Sequence, residues 1–331
     1  MKKKIICWLG LLSVLFCLGG GVKGEASSSK NAATYSVAPV LSEHQTKNIT
    51  SFYDIRWTPN GQEKIGISIT NHKSTAQTYV LQVNKAVTND NGMVDYSIPN
   101  LIPDSEPLKF NFPHEVTIEP NTTSTVYSNF SFPNQDYNGI KIFGVYVSEK
   151  SEDKASKGVS NVVSYALPLV IRGNIDQRPE AKVTFKAASL LKQNLNYQIK
   201  VPVSNEKEVY LKNSKVKVEV LNSNHQVLDQ LNEKIDVTPT TSFNLLLPLT
   251  QKYASGNYTV KVSMTHDKQT WHHESQIKIT KEQSTKIKET LPKKKHAFPI
   301  VIILLVIIFA LSLGLAFVIW RLHSKKSNQK D

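Results

Sequence analysis

The side chains best suited to binding a metal ion are concentrated in one short segment near residue 270. The densest group of possible ligands is His266, His272, His273 and Glu274. Adjacent histidines on a strand point to opposite faces, so His272 and His273 could not easily share one ion. The motifs of serine hydrolases, phosphate-binding loops and zinc proteases are absent, and no cysteine follows position 17. We therefore expect no metal, no cofactor and no catalytic residue.

A second candidate is the segment VTNDNGMVDY at residues 87–96, which is rich in hydrogen-bonding side chains. Asn91-Gly92 is typical of a type I′ hairpin turn. In one interpretation the segment is a structured turn whose side chains hold the loop, as Asn, Asp and Gly commonly do. In the other it is a glycan site that hydrogen-bonds sugar hydroxyls and stacks Tyr96 on a sugar ring. The candidate glycan-binding residues are Thr88, Asn89, Asn91, Gly92, Asp95 and Tyr96.

Trp271 is the third candidate, as a partner-binding residue. It lies between the strands that the sequence predicts at 257–264 and 275–279, near the end of the predicted extracellular part. Tryptophans are highly buried on average, so a place in the core is the competing interpretation.

The N-terminus predicts export from the cell. Three lysines at positions 2–4 precede an apolar stretch at 5–18 and glycines at 19–21, which is the pattern of a secretory signal peptide. The apolar stretch is shorter than the roughly 20 residues that a membrane-spanning helix needs. Phe16 before Cys17 argues against a lipoprotein cleavage site. We expect residues 1–26 to form the signal peptide.

The C-terminus predicts a retained membrane anchor. Residues 298–320 carry no charge and have the length and composition of a transmembrane helix. A cleaved signal commits the preceding chain to translocation, so the tail at 321–331 is expected in the cytoplasm. Leu291-Pro292 is followed by lysines and lacks the Thr-Gly pair that sortase cleaves, so the helix should stay attached.

Short stretches with period-two alternation and intervening turns predict an all-β fold. Lys64 to Thr70 alternates strictly, with isoleucines at 65, 67 and 69 on one face. We expect two tandem immunoglobulin-like β-sandwiches, at 34–171 and 172–280, followed by a Lys-rich stalk at 281–297 and the helix at 298–320.

Charge and cysteine content narrow the class of protein further. The formal net charge of +13 comes mostly from the two ends and residues 281–296, which leaves about +3 on the predicted sandwiches. No basic stripe of the kind that binds a phosphate backbone is present, so we expect no nucleic acid partner. Both cysteines lie in the predicted signal peptide. An exported chain without disulfides suits a Gram-positive bacterium better than a small secreted animal domain.

Several segments together resemble the WxL-interacting protein family of Gram-positive bacteria. In the first unit they are FYD at 52–54, TPNGQ at 58–62 and the segment at 87–96; in the second they are VTPTTSF at 237–243, ASGNY at 254–258 and Trp271. Thr240 stands where the family more often has asparagine. The resemblance implies that the first domain binds peptidoglycan. It implies that the second binds WxL-domain surface proteins and host extracellular matrix.

These expectations describe a single-pass membrane protein whose ectodomain faces the cell wall and acts in adhesion. The alternative is a membrane-tethered assembly factor that pairs with a secreted surface protein by β-strand addition. A third hypothesis, an enzyme acting on wall glycan, has no motif in its favour.

Overall fold

The computed structural model describes residues 33–150, 163–291 and 300–327. In these ranges the chain forms strands, two helices and one short 3₁₀ turn at Ile175–Gln177. The strands are β1 (Tyr35–Val40), β2 (Tyr53–Arg56), β3 (Gln62–Asn71), β4 (Gln77–Lys85), β5 (Val87–Thr88), β6 (Val94–Asp95), β7 (Glu115–Ile118), β8 (Thr123–Ser131), β9 (Ile140–Glu149), β10 (Ser164–Arg172), β11 (Val183–Phe185), β12 (Ser189–Gln193), β13 (Asn196–Asn205), β14 (Leu211–Leu221), β15 (Val227–Val237), β16 (Ser242–Pro248), β17 (Gly256–His266) and β18 (Gln269–Ile279). The helices are α1 (Lys281–Thr290) and α2 (Ile300–Ser327).

The first sandwich packs a three-stranded sheet, β1-β3-β8, against a five-stranded sheet, β2-β10-β9-β4-β7. All pairings are antiparallel except that of β2 with β10. Ile65, Ile67 and Ile69 of β3 are fully buried in the core between the sheets, as their alternation predicts. The hairpin of β5 and β6, which we call the 87–95 hairpin, stands outside both sheets.

The second sandwich has two four-stranded sheets. In one, β11 and β12 pair with successive parts of β13, and β16 pairs with β13 as well. In the other, the strand order is β15-β14-β17-β18. Val216, Val218 and Val220 of β14 alternate into the core between these sheets.

The prediction of an all-β chain with two immunoglobulin-like sandwiches and one C-terminal apolar helix is confirmed. Two strands, β12 and β15, form where the sequence did not predict them. In β15, acidic, basic and amide side chains interrupt the apolar positions, so the segment gives no clear period of two.

Helix α1 contradicts the expected stalk at 281–297. Thr280 and Gln283 form a capping box at the start of the helix, and Ile287 lies fully buried in the second core. The hydroxyl of Ser284 donates to the backbone oxygen of Tyr253 at 2.6 Å. A single deeply buried residue in ten is too sparse to give a helical apolar period, so the sequence by itself predicts a linker here. Residues 292–297 lie outside the described ranges.

Helix α2 is the one helix, among the described residues, that is long and apolar enough to cross a membrane. Its Leu304–Arg321 window has a mean hydropathy of 2.4, and none of it is buried against the rest of the chain. The helix begins two residues after the predicted start at 298 and continues to Ser327. The predicted signal peptide at 1–26 and the last four residues of the tail lie outside the described ranges.

Candidate functional site

The loop of the 87–95 hairpin is held by its own backbone and by Asn89. The amide of Asn89 donates to the oxygen of Met93 and the amide of Gly92 to the oxygen of Asn89, each at 2.9 Å. The Asn89 side chain accepts from the amides of Asn91 and Met93 at 3.0 and 3.1 Å. Gly92 has φ of 71°, whereas Asn91 has no positive φ. The predicted type I′ turn is therefore wrong, because it needs positive φ at both; Asp90 to Gly92 form a three-residue loop instead.

Thr88 anchors this hairpin to the second sandwich. Its side chain is only 3% exposed. The hydroxyl donates to the backbone oxygen of Asp236 and accepts from the amide of Thr238, both at 2.9 Å. The Thr88 amide donates to the hydroxyl of Thr241 at 3.2 Å. These bonds satisfy polar groups that the contact between the sandwiches removes from water.

The tip of the hairpin makes further contacts with the same sandwich. Asp90 accepts from the backbone and side-chain nitrogens of Asn244 at 2.8 and 3.1 Å. The amide of Asp236 donates to the oxygen of Gly92 at 2.9 Å. A Cβ at Gly92 would lie 2.2 Å from Cγ2 of Ile235, so only glycine allows this approach. We call this set of contacts between residues 85–96 and 235–244 the domain joint.

Asp95 and Tyr96 complete the predicted glycan set but are used locally. Asp95 accepts from the amide and hydroxyl of Ser97 at 2.8 and 2.7 Å. The ring of Tyr96 rests on Gly144 of β9, where a Cβ would lie 2.5 Å from Cδ1. Burial, with a further contribution from Asp236, raises the pKa of Tyr96 to about 12.

Five of the six predicted residues thus lie in the 87–95 hairpin and Tyr96 follows it directly, but their exposure differs. Thr88 and Gly92 are buried at the joint, Asn89, Asp95 and Tyr96 are half-buried, and Asn91 is exposed. The contacts of Asn89 and Asp95 are those of a structured turn, and a glycan role for the set stays a prediction. Another segment that carries the resemblance, at 237–243, supplies the opposite side of the joint.

A cavity of about 250 Å³ lies beside the joint, and charged and apolar side chains of both sandwiches line it. The Lys85 ammonium donates to the oxygen and the hydroxyl of Thr240 at 3.0 and 2.9 Å. The Lys141 ammonium bridges carboxylates of Glu106 and Glu208, each at 3.0 Å. Burial lowers the pKa of Lys85, and the nearby Lys141 lowers it further. The two ammonium groups and the two carboxylates balance in charge. The contacts of Lys85 with Thr240 and of Lys141 with Glu208 cross between the sandwiches, so they join the domains as the hairpin does.

Trp271 lies on β18, opposite Met264 of β17, and packs half-buried against the second core. A partner-binding role for Trp271 therefore stays a prediction. Its neighbour His272 is exposed, whereas the ring of His273 turns inward and stacks on Phe185 with centroids 5.8 Å apart. In the described ranges, no three His, Cys, Asp or Glu side chains come together as a metal site would require.

The sequence did not single out the outer face of the β1-β3-β8 sheet. Tyr127 of β8 is 45% exposed there and pairs with Gly66 of β3. Hydroxyl groups of the same two strands pair beside it, Ser68 with Thr125 at 2.7 Å. The glycine in a strictly alternating strand was the available signal, because such a glycine often marks a close approach to the backbone.

Comparisons with known families and structures agree with this organisation. Two family models match in tandem: the peptidoglycan binding domain of WxL Interacting Protein at residues 35–149, and its host binding domain at 154–289. The second model begins before β10, although β10 is a strand of the first sandwich. A search of curated proteins gave no significant match.

Similar solved structures include several chaperones. The class 5 fimbriae chaperone CfaA is 14% identical, with a TM-score of 0.30 over 73% of this chain and 98% of that one. The CupB2 chaperone of Pseudomonas aeruginosa is 13% identical, with a TM-score of 0.28 over 67% and 95%. A chaperone–tip adhesion subunit complex from Acinetobacter baumannii is 11% identical, with a TM-score of 0.31 over 64% and 90%. Likenesses at this level are too weak to bear on function.

Proposed function

The chain belongs to the WxL-interacting protein family, and from this premise we propose that it is an adhesive surface-binding protein of a Gram-positive bacterium. Its first sandwich attaches to peptidoglycan. Its second binds a WxL-domain surface protein and host extracellular matrix. The observation that carries the proposal is the tandem match of two binding-domain models to residues 35–149 and 154–289. Neither model describes an enzyme.

Helix α2 is proposed to anchor the protein in the cell membrane in a single pass. The exposure of its whole Leu304–Arg321 window and the mean hydropathy of 2.4 support this role. The ectodomain then faces the wall, and the segment from 321 lies in the cytoplasm, as expected when a signal peptide directs export of the preceding chain.

The domain joint supports a scaffold that holds two ligands at a fixed separation. Buried hydrogen bonds at Thr88 and the close approach of Gly92 to Ile235 leave little freedom between the sandwiches. Because the two sandwiches are already fixed relative to each other, a second ligand pays a smaller entropy cost on binding.

Co-sedimentation of the full-length protein in detergent with purified insoluble peptidoglycan tests the wall-binding half. We expect retention at moderate salt and release by soluble wall fragments. Protein that stays in the supernatant would contradict the assignment. Loss of the protein from the membrane fraction on truncation after residue 291 tests the anchor.

The partner-binding half is tested with a purified WxL-domain protein and with immobilised extracellular matrix proteins. Trp271→Ala should weaken capture of the WxL-domain protein if this side chain contributes to the surface. His272→Ala is the matched control, because His272 is exposed on the other face of the same strand. Equal capture by both variants and the parent protein would remove Trp271 from the partner site.

Strand addition is the second candidate mode of partner binding, and β18 is the observation in its favour. It pairs with β17 over eleven consecutive residues without a register shift. Among the described strands, none pairs with its other edge. Such an edge offers free backbone groups to an incoming strand.

Amide hydrogen exchange distinguishes this mode from side-chain docking. Strand addition should slow exchange of outward amides of β18 in the complex, and added sugars should leave the complex intact. Protection confined to other elements would contradict strand addition.

A further inference from the structure

We propose that the outer face of the β1-β3-β8 sheet, centred on Tyr127, binds the glycan strand of peptidoglycan. We call this surface the tyrosine face and define it by Lys64, Gly66, Ser68, Thr125, Tyr127 and Asn129. The Tyr127 ring packs against the C–H face of a sugar, neighbouring polar side chains bond its hydroxyls, and Lys64 pairs with a carboxylate of the polymer. The inference rests on the proposed function and gives its location.

The first step is the placement of the aromatic ring. Tyr127 lies directly over Gly66, where a Cβ would be 2.7 and 2.8 Å from two carbons of the ring. The missing side chain lets the ring lie on the sheet with its other side toward solvent, and Tyr127 is 45% exposed. An amphipathic aromatic ring at a wet surface is suited to a ligand that is apolar on one face and polar at its edges.

The second step is the polar surround. Ser68 and Thr125 share a hydrogen bond between hydroxyls at 2.7 Å, and each hydroxyl keeps acceptor capacity for a ligand. The Asn129 side chain is exposed, and no bond joins it to another described residue. These groups lie on alternate residues of adjacent strands, so they project to the same side as Tyr127.

The third step is charge complementarity. The ammonium of Lys64 lies 4.3 Å from the centroid of the Tyr127 ring. In the described ranges it forms no ion pair with a carboxylate. A cation–π contact at an exposed site is weak, so a flexible lysine can leave the ring when a ligand carboxylate arrives. The stem peptides of peptidoglycan carry free carboxylates, whereas neutral glycans carry none.

The opposite outer face of the same sandwich is less suitable because the chain itself covers part of it. On that face the ring of Tyr96 occupies the surface over Gly144. Two members of the hairpin set, Thr88 and Gly92, are already buried at the domain joint. On the tyrosine face, among the described residues, Tyr127 stays 45% exposed with only the flexible Lys64 ammonium over its ring.

The test is binding of the full-length protein in detergent to purified insoluble peptidoglycan. Tyr127→Ala should weaken binding at least tenfold, and Tyr127→Phe should recover most of that loss because it keeps the ring. Lys64→Gln should weaken binding at low salt and reduce its salt dependence. Tyr146→Ala is the matched control, since Tyr146 is a half-buried tyrosine on the outer side of the five-stranded sheet.

A second variant, Thr125→Glu, keeps the Tyr127 ring. It places a negative charge where the polymer carboxylate approaches. It should abolish binding while the circular dichroism and thermal transition stay those of the parent. Binding of both Tyr127→Ala and Thr125→Glu within twofold of the parent would overturn the inference. Loss of peptidoglycan binding in Asn91→Ala, with none in Tyr127→Ala or Thr125→Glu, would overturn the inference and favour the 87–95 hairpin as the glycan site. If the parent protein itself does not bind peptidoglycan, the proposed function fails first.

Discussion

Replacing Ile287 tests whether residues 281–290 are part of the second domain or a linker to the membrane. The side chain of Ile287 is fully buried in the core of the second sandwich. Ile287→Ala removes three carbon groups at about 0.8 kcal/mol each, which gives about 2.4 kcal/mol before any cavity contribution. Alanine's better helix propensity returns less than about 0.7 kcal/mol. The cavity left behind adds to the loss, so we expect about 2–3 kcal/mol of destabilisation.

The measurement is urea unfolding of a soluble fragment comprising residues 27–291, followed by tryptophan fluorescence. Trp57 and Trp271 are the two tryptophans of this fragment. A Trp57→Phe background therefore makes Trp271 report on the second sandwich alone. With a urea m-value of about 2 kcal/mol per molar, the midpoint should fall by about 1 M.

Lys288→Ala is the matched control, because Lys288 is the exposed neighbour on the same helix. Its midpoint should change by less than about 0.3 M, as is usual for surface substitutions. If Ile287→Ala also shifts the midpoint by no more than this control, the helix does not contribute to the core. The segment would then be a stalk, as the sequence indicated.

Three further substitutions test other contacts. Arg172→Ala removes the bidentate partner of the fully buried Asp54 carboxylate, whose oxygens lie 2.6–2.9 Å from the guanidinium nitrogens. Leaving this carboxylate unpaired should lower the free energy of unfolding by about 2–3 kcal/mol, measured through Trp57 fluorescence. Arg172 is 38% exposed, which keeps the loss below that of a fully buried pair. Thr240→Asn should stabilise the protein by about 0.5–1 kcal/mol, measured as a higher thermal midpoint. Thr240 has φ of 46°, and asparagine tolerates this left-handed conformation better. Thr88→Val leaves two backbone groups of the second sandwich unsatisfied, so small-angle scattering should show a larger radius of gyration; an unchanged radius would mean that the joint does not depend on this hydroxyl.

Local sequence patterns predicted the sandwiches because burial in a sheet follows a period of two. Ile65, Ile67 and Ile69 illustrate this, since all three reach the core from one strand. Helix α1 escaped prediction because Ile287 alone among its residues is deeply buried. The domain joint could not be predicted from local patterns, because the hydrogen-bond partners of Thr88 lie about 150 positions further along the chain. Asn-Asp-Gly composition revealed a turn, but it could not reveal which surface the turn contacts.

The tyrosine face could not be predicted from one strand alone. Lys64, Gly66 and Ser68 occupy the polar positions of an ordinary alternating strand. Their relation to Tyr127 depends on the register of β3 with β8, which places Gly66 opposite that ring. A one-residue slip would turn Tyr127 toward the core. Site prediction here required the strand pairing as well as the residue types.

The docking of α1 also sets where each sandwich acts if α2 spans the membrane. From Leu291 to Ile300 the chain can extend at most roughly 30 Å, at about 3.3–3.6 Å per residue. The second sandwich must therefore stay near the membrane surface, and the first is connected to the membrane only through it. A WxL-domain protein secreted by the same cell would pass this membrane-proximal sandwich on its way outward. Host matrix would approach from the opposite side of the wall, so under the proposed function the second sandwich would meet a WxL-domain protein before it meets host matrix.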